Sequence, residues 1–222
     1  VADAGGGAPT GATGDINYVS EGFYVFEHHV KGLGQTLLVP KLTAVGWDIS
    51  PDLTDNEGAE YAFGSSTLAR GHCQFKVGTD APFYVKLKLK IADVSGTDDC
   101  AVGFRKVEAF QANVDDYDEM AVLNVILGDV KIETILNNAV TTTTDTTDNV
   151  ADAGTVTLGI YVDGAGNVTY KIDDKLPTAT ATFKFDAAEQ VVPFFFFLHA
   201  TTTPGIVELI DLECGFQDGA ND

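Results

Sequence analysis

Three carboxylates near the end of the chain have the residue types needed for catalysis. Glu208, Asp211 and Glu213 lie within Glu208-Leu-Ile-Asp-Leu-Glu213. A pair of carboxylates can cleave a glycosidic bond when both reach it from one side of a protein surface. Strict alternation along a strand places Asp211 and Glu213 on one face and Glu208 on the other. The spacing therefore predicts a broken triplet, and we expect the chain not to be an enzyme.

Two acidic turns contain oxygen ligands of the kind that calcium binds. They are Asp52-Leu-Thr-Asp-Asn-Glu57 and Asp115-Asp-Tyr-Asp-Glu119. Acidic turns of this kind are usually solvated loops, and neither segment carries a complete ligand pattern. The sequence predicts no metal ion and no other cofactor.

The histidines and cysteines do not form a recognisable site. The four histidines are dispersed, and no Ser/His/Asp order with supporting context accompanies them. The three cysteines are an odd set without Cys-x-x-Cys spacing, which predicts neither a zinc site nor a complete disulfide framework. We expect buried thiols in a reducing compartment. These residues are His28, His29, His72, His199, Cys73, Cys100 and Cys214.

Two aromatic residues could stack on a sugar ring. Trp47 is the single tryptophan, and Tyr61 follows it at short distance in the sequence. A lone Trp in a β domain more often packs in the core. Glycan stacking by Trp47 and Tyr61 and burial of both side chains are the two alternatives.

The charge of the chain excludes several classes of partner. Thirteen basic residues against 33 acidic ones give a formal net charge of −20. Such a field repels phosphate backbones and anionic lipid surfaces. The longest apolar run, residues 191–198, is too short to span a bilayer. We therefore predict no binding to nucleic acid or membranes.

Short runs with β-type composition follow one another along nearly the whole chain, with turn signals between them. No window shows a clean helical period. A dozen or more short strands predict a sandwich or a large barrel, with a flexible arm over 1–17, one domain over 18–222 and a long surface loop over 137–154. The expected strands are 21–27, 37–45, 60–63, 71–77, 83–92, 101–110, 120–127, 129–136, 155–162, 168–172, 179–185, 191–199 and 206–216.

Four consecutive phenylalanines interrupt the alternating pattern. A strand without alternation presents apolar side chains to both faces and needs cover on both. Either loops of the same chain or a partner subunit could supply the second cover. The second alternative places subunit or shell contacts at this strand and in the Gly/Pro-containing arm, at Phe194, Phe195, Phe196, Phe197, Gly5, Gly6, Gly7 and Pro9.

Five segments in order resemble the concanavalin A-like lectin/glucanase family. They are Gly103-Phe104, Asp115-Asp-Tyr-Asp-Glu-Met-Ala121, Leu158-Gly-Ile-Tyr-Val-Asp163, Gly166-Asn-Val-Thr-Tyr-Lys-Ile-Asp173 and the strand 191–198. The resemblance spans about residues 80–216. It implies an all-β fold, a two-sheet antiparallel jelly-roll sandwich with an extended N-terminal arm, and it does not imply an activity.

Within that family the Gly/Ala/Thr arm and the Thr-rich segment resemble tailed-bacteriophage virion proteins, the decoration or cement proteins of a capsid. The resemblance implies a structural role on the virion surface. The implied partners are a lattice of major capsid protein and further copies of the chain, in a homo-oligomer such as a trimer. The alternatives are a lectin-like carbohydrate-binding module displayed on a particle or cell surface, and a divergent glycosidase.

Overall fold

Residues 27–31, 41–49, 56–64, 73–200 and 207–217 are described by the structure, a computed structural model. The predicted arm with Gly5, Gly6, Gly7 and Pro9 lies outside these residues. The strands are β1 (Glu27–Lys31), β2 (Lys41–Leu42), β3 (Trp47–Asp48), β4 (Gly58–Ala62), β5 (Phe75–Lys76), β6 (Phe83–Ile91), β7 (Thr97–Lys106), β8 (Met120–Ile126), β9 (Asp129–Ile135), β10 (Thr142–Asn149), β11 (Gly154–Val162), β12 (Val168–Ile172), β13 (Gln190–His199) and β14 (Val207–Phe216).

Two antiparallel sheets account for all of these strands. The larger sheet has the order β1-β4-β13-β7-β8-β9-β10, with β5 paired to β13. The smaller sheet has the order β12-β11-β6-β14-β3-β2. The all-β, two-sheet antiparallel jelly-roll prediction is confirmed. No helix in the described ranges is long and apolar enough to cross a bilayer.

The inner faces of the two sheets form the main core. In β6 every second side chain, from Phe83 to Ile91, is buried, and the lysines between them point to the outer face. This follows from the period of two along a strand, because apolar and charged residues alternate in its sequence. β6 pairs with both β11 and β14 at the centre of the smaller sheet.

The phenylalanine strand β13 is covered on both faces by its own chain. Phe195 and Phe197 belong to the core between the sheets. Phe194 and Phe196 belong to a second cluster on the outer face, together with Tyr117 from the segment that follows β7. All four side chains are at most 1% exposed. They are therefore not free surface for a subunit contact, and cover by the chain's own loops is the arrangement found.

The Thr-rich segment predicted as a loop contains the edge strand β10, which pairs with β9. Threonine favours strands, and its hydroxyl can satisfy backbone acceptors at a sheet edge. Thr146 is buried, and its Oγ1 donates a hydrogen bond to the carbonyl of Val130 at 2.5 Å.

The prediction of a strand over 179–185 is wrong, since the segment contributes a single bridge between Asn167 and Lys184.

Within the described residues, two other predicted strands cover less of the chain than expected. Of the segment 37–45, the described part contains the two-residue β2 and then a turn, in which the Thr43 hydroxyl accepts hydrogen bonds from the amides of Val45 and Gly46. This side-chain acceptor competes with a strand partner for the backbone donors. In the described part of the segment 71–77, the strand β5 consists of Phe75 and Lys76.

A β-bulge in β14 corrects the predicted facing of its carboxylates. The register shifts between Leu209 and Asp211, so that Glu208 lies opposite Lys90 and Asp211 lies opposite Lys88. The extra residue reverses the alternation, because two residues on the bulged strand oppose one on its partner. Glu208, Asp211 and Glu213 consequently share the outer face of the smaller sheet, with the lysines of β6.

Candidate functional site

The outer face of the larger sheet is partly covered by the segment 107–119, which a buried ion pair holds in place. Arg105 of β7 binds Glu60 of β4 through two hydrogen bonds, Nη2 to Oε1 at 2.6 Å and Nε to Oε2 at 3.2 Å. Tyr117 of the covering segment donates its hydroxyl proton to Glu60 Oε2. All three side chains are completely buried.

The same arginine contacts the covering segment directly. Its Nη1 donates to the carbonyls of Lys106 and Glu108 at 3.0 and 3.2 Å, and its guanidinium lies 4.6 Å from the centre of the Tyr117 ring. Burial, followed by the charge of Glu60, raises the pKa of Tyr117, which therefore remains a hydrogen-bond donor. The segment is thus a fixed wall of the outer face.

Beside this wall lies an open pocket of about 410 Å³, within the size range of small-ligand sites. Nine of its eleven lining residues are polar, and five of these are carboxylates. The lining residues are Asn56, Asp98, Asp99, Asn113, Val114, Asp115, Asp116, Glu133, Thr141, Thr143 and Leu198.

A hydrogen-bonded row of side chains forms part of the pocket floor across four strands. Asn124 of β8 donates from Nδ2 to Asp99 of β7 at 2.7 Å and to Glu133 of β9 at 2.9 Å. Its Oδ1 accepts the backbone amide of Cys100 at 2.8 Å. Thr143 of β10 donates to Glu133 at 3.2 Å. The row is therefore oriented before any ligand enters.

Asp99 is the most perturbed acid of the pocket. Burial, mainly, raises its pKa to about 6, and the charges of Glu133, Asp98 and Asp115 act in the same direction. The hydrogen bond from Asn124 acts in the opposite direction. A carboxyl group that titrates near neutrality in an open pocket is a common property of functional sites.

The chemistry of the pocket is that of an acceptor-rich, negatively charged surface. Carboxylates only accept hydrogen bonds when ionised, so a matching ligand must carry several donors, such as hydroxyl or ammonium groups. Within the described ranges, no group of three or more His, Cys, Asp or Glu side chains is placed to hold a metal ion.

The aromatic residues selected from the sequence do not line this pocket. Tyr61 is completely buried between the sheets, so of the two alternatives the structure shows burial for this residue. Burial and the nearby Asp48 raise its pKa. Trp47 lies in the smaller sheet, is half-buried and packs against the core.

Both acidic turns contribute to the pocket, the first through Asn56 and the second through Asp115 and Asp116. Asp115 and Asp116 occupy its rim in a short 3-10 turn, and the Asn113 amide donates to Asp116 Oδ2 at 2.7 Å. Asp52 and Asp55 lie outside the described residues. The carboxylates of β14 lie on the other sheet, where Glu208 is 3.5 Å from the ammonium group of Lys90.

Two residues of the hydrogen-bonded row were not selected from the sequence, although a signal was present. Asn124 interrupts the apolar strand β8, and Glu133 interrupts β9. Buried polar residues in apolar strands need partners, so each indicates a hydrogen-bonded site. The identity of those partners, Asp99 among them, depends on which strands become neighbours.

The two antiparallel sheets form a jelly-roll sandwich with a concanavalin A-like fold. Among solved structures it is similar to a legume lectin-like domain from Entamoeba histolytica, with a TM-score of 0.57, 12% identity and coverage of 86% of this chain and 90% of that chain. It is also similar to the potassium-bound carbohydrate recognition domain of Emp46p, with a TM-score of 0.53, 9% identity and coverage of 84% and 87%.

A third similar structure is the alginate lyase PA1167 from Pseudomonas aeruginosa, with a TM-score of 0.48, 9% identity and coverage of 82% of this chain and 88% of that chain. No protein-family model and no curated protein sequence matches the chain. Likeness at this level of identity shows the fold alone.

Proposed function

We propose that this domain binds a neutral or amino-sugar glycan in the acidic pocket on the outer face of its larger sheet. The observation that carries the proposal is the row formed by Asp99, Asn124, Glu133 and Thr143, whose acceptors are held in place by their mutual hydrogen bonds. Preorganised acceptors lose little entropy when they bind the hydroxyl groups of a sugar.

Charge restricts the class of glycan. Five carboxylates line a single pocket, and the whole chain has a net charge of −20. An acidic polysaccharide such as alginate, or a phosphorylated sugar, would meet like charge on entry. A neutral sugar would donate hydroxyl protons to these carboxylates, and an amino sugar would add charge attraction.

The similarity to carbohydrate recognition domains supports this proposal as an analogy of fold. The pocket residues make the more specific argument, because their positions belong to this chain. Val114 and Leu198 add a small apolar patch to the lining, which a sugar ring could contact through its C–H groups.

The test is a glycan array followed by titration calorimetry of the hits. We expect saturable binding to neutral or amino-sugar glycans, weakened at least about 10-fold, or ~1.4 kcal/mol, by either of two substitutions. Glu133→Gln replaces a charged acceptor oxygen by an amide donor, and Asn113→Ala removes the side-chain amide. Glu213→Gln is the matched control, because it removes the same charge on the opposite sheet. Binding that is absent from the array, or equally weakened by all three variants, would contradict the proposal.

A second proposal concerns where the domain is displayed. We propose that it is a component of a bacteriophage virion, bound to a lattice of major capsid protein as a homo-oligomer. The supporting observations are the resemblance described for the sequence and the exposed, Thr-rich β10 at the free edge of the larger sheet. Because Phe194–Phe197 are buried, the contacts would have to use other surfaces.

Mass spectrometry of purified particles tests this second proposal. We expect the chain in stoichiometric amounts, and we expect particles that lack it to lose their DNA at a lower temperature, since contacts made only in the assembled state stabilise that state. Particles without the chain, or particles whose stability is independent of it, would overturn the proposal and leave the glycan proposal intact.

A further inference from the structure

Two cysteines from different sheets lie side by side at one end of the sandwich. Cys73 precedes β5, which pairs with β13 of the larger sheet, and Cys214 lies in β14 of the smaller sheet. Two residues further along each segment, the rings of Phe75 and Phe216 meet edge-on at 5.4 Å. Phe83 stacks on Phe75 at 4.5 Å and is the strand partner of Phe216.

The ring contact between Phe75 and Phe216 brings the segments that carry the two thiols together. The Cys214 thiol lies within hydrogen-bonding reach of the Cys73 sulfur, and neither cysteine is in a disulfide. Cys73 is exposed, whereas Cys214 is half-buried against the core. Cys73 has a φ of 52°, a left-handed backbone conformation that is uncommon outside glycine.

We propose that Cys73 and Cys214 are a reversible redox pair whose disulfide links the two sheets. The arrangement has the two features that such a pair needs, an accessible thiol to react first and a neighbouring thiol to resolve the product. The third cysteine, Cys100, is completely buried and is not part of the pair.

The reaction proceeds by exchange with a small-molecule disulfide such as oxidised glutathione. The Cys73 thiolate attacks one sulfur of the oxidant, whose S–S bond breaks and releases one thiolate, leaving a mixed disulfide on Cys73. The Cys214 thiolate, formed as its proton passes to solvent, then attacks the Cys73 sulfur and releases the second small thiolate. Two protein thiols are oxidised to one disulfide, and the oxidant is reduced to two thiols.

The electrostatics of the pair favour this order of attack. The hydrogen bond from Cys214 lowers the pKa of Cys73 to about 7, while burial acts in the opposite direction. The same contact, together with burial, raises the pKa of Cys214. Cys73 therefore supplies the thiolate at neutral pH, and the thiolate is the reactive form.

Mass spectrometry after oxidation tests the proposal. The full chain is incubated with oxidised glutathione, unfolded, alkylated and digested. We expect a Cys73–Cys214 cross-linked peptide and one alkylated thiol, at Cys100. Cys100→Ser should still form the cross-link, whereas Cys214→Ser should stop at the mixed disulfide on Cys73. Three alkylated thiols, or a mixed disulfide on Cys73 that persists in the unchanged chain, would overturn the proposal.

A thermal melt provides an independent readout. The disulfide would close a chain segment of well over one hundred residues, which restricts the unfolded state strongly. We expect oxidation to raise Tm by on the order of 5–10 °C, reversed by dithiothreitol, in the unchanged chain and in Cys100→Ser. An unchanged or lowered Tm after the cross-link has formed would show that the two sulfurs are not positioned for it.

Discussion

At the scale of single residues, the most demanding feature is the buried Arg105–Glu60 pair with Tyr117. Burying two charges is costly, and their attraction offsets the cost only when further hydrogen bonds satisfy the remaining groups. Here the two backbone carbonyls and the tyrosine hydroxyl provide those bonds. The pair therefore fixes the covering segment, which forms one wall of the pocket.

The first prediction removes one charge of this pair. Glu60→Gln should lower the free energy of unfolding by about 3–5 kcal/mol, because it leaves the Arg105 guanidinium buried without its counter-ion. Urea denaturation measures the change. Asp118→Asn is the control, since its contact with Lys106 at 3.7 Å is partly exposed and should contribute less than ~1 kcal/mol. Equal effects of the two substitutions would contradict this account.

The second prediction concerns Asp99 and pH. Its folded-state pKa of about 6 lies above the ordinary value of 3.8, so the folded state holds this proton more tightly than the unfolded state does. Its contribution therefore becomes more destabilising as pH rises from about 4 to about 6, and the penalty is complete above that window.

Asp99→Asn should remove this penalty. We expect the variant to be more stable than the unchanged chain at pH 8, by roughly 1–2 kcal/mol, and about equally stable near pH 4. Urea denaturation at several pH values checks this. A difference that is the same at pH 4 and pH 8 would show that ionisation of Asp99 is not its cause.

At the scale of elements, the β14 bulge decides which surface the late carboxylates occupy. Leu209, Leu212 and Cys214 pack towards the core on either side of the bulge, while Glu208 and Asp211 remain outside opposite the lysines of β6. A regular strand over these same residues, with Ile210 paired and no bulge, would have to bury a carboxylate or expose a leucine.

The third prediction compares two single-residue deletions in β14. Deleting Ile210, the unpaired residue of the bulge, leaves its neighbours in regular alternation with their present partners on β6, so we expect the chain to fold and its free energy of unfolding to change by no more than about 1–2 kcal/mol. Deleting Leu212 forces part of the strand to shift by one position and should cost about 4 kcal/mol or more, or prevent folding. Chemical denaturation compares the two variants, and equal losses of stability would contradict the assigned register.

At the scale of the whole molecule, the net charge of −20 opposes compaction. Much of this charge lies on exposed positions, where dissolved ions screen it. The same charge supports solubility and disfavours anionic ligands at the pocket.

The fourth prediction follows from this repulsion. Raising NaCl from about 10 mM to about 500 mM should raise Tm by roughly 2–4 °C, equivalent to about 1 kcal/mol for a chain of this size. Differential scanning calorimetry measures the shift. KCl at the same ionic strength should have the same effect, because screening depends on ionic strength. A Tm that is independent of salt would mean that acidic repulsion does not limit stability.

The sequence by itself determined the fold class, because alternation is a local property of each strand. The lysines of β6 and the apolar residues between them define two faces without reference to any other strand. The Thr-rich β10 was missed, because its side chains are polar on both faces and its pairing with β9 is what makes it a strand. The unbroken run of phenylalanines predicted a need for cover on both faces, but not its source.

Only the tertiary structure decided the candidate site, since its residues come from different strands whose pairing and register determine which side chains meet. Asp99, Asn124 and Glu133 become neighbours through the order β7-β8-β9, and the Tyr117 segment reaches Glu60 only because β4, β13 and β7 are adjacent. A single extra residue in β14 likewise reversed the facing of its carboxylates. Local sequence specifies the alternation of side chains, whereas strand order and register specify which of them meet.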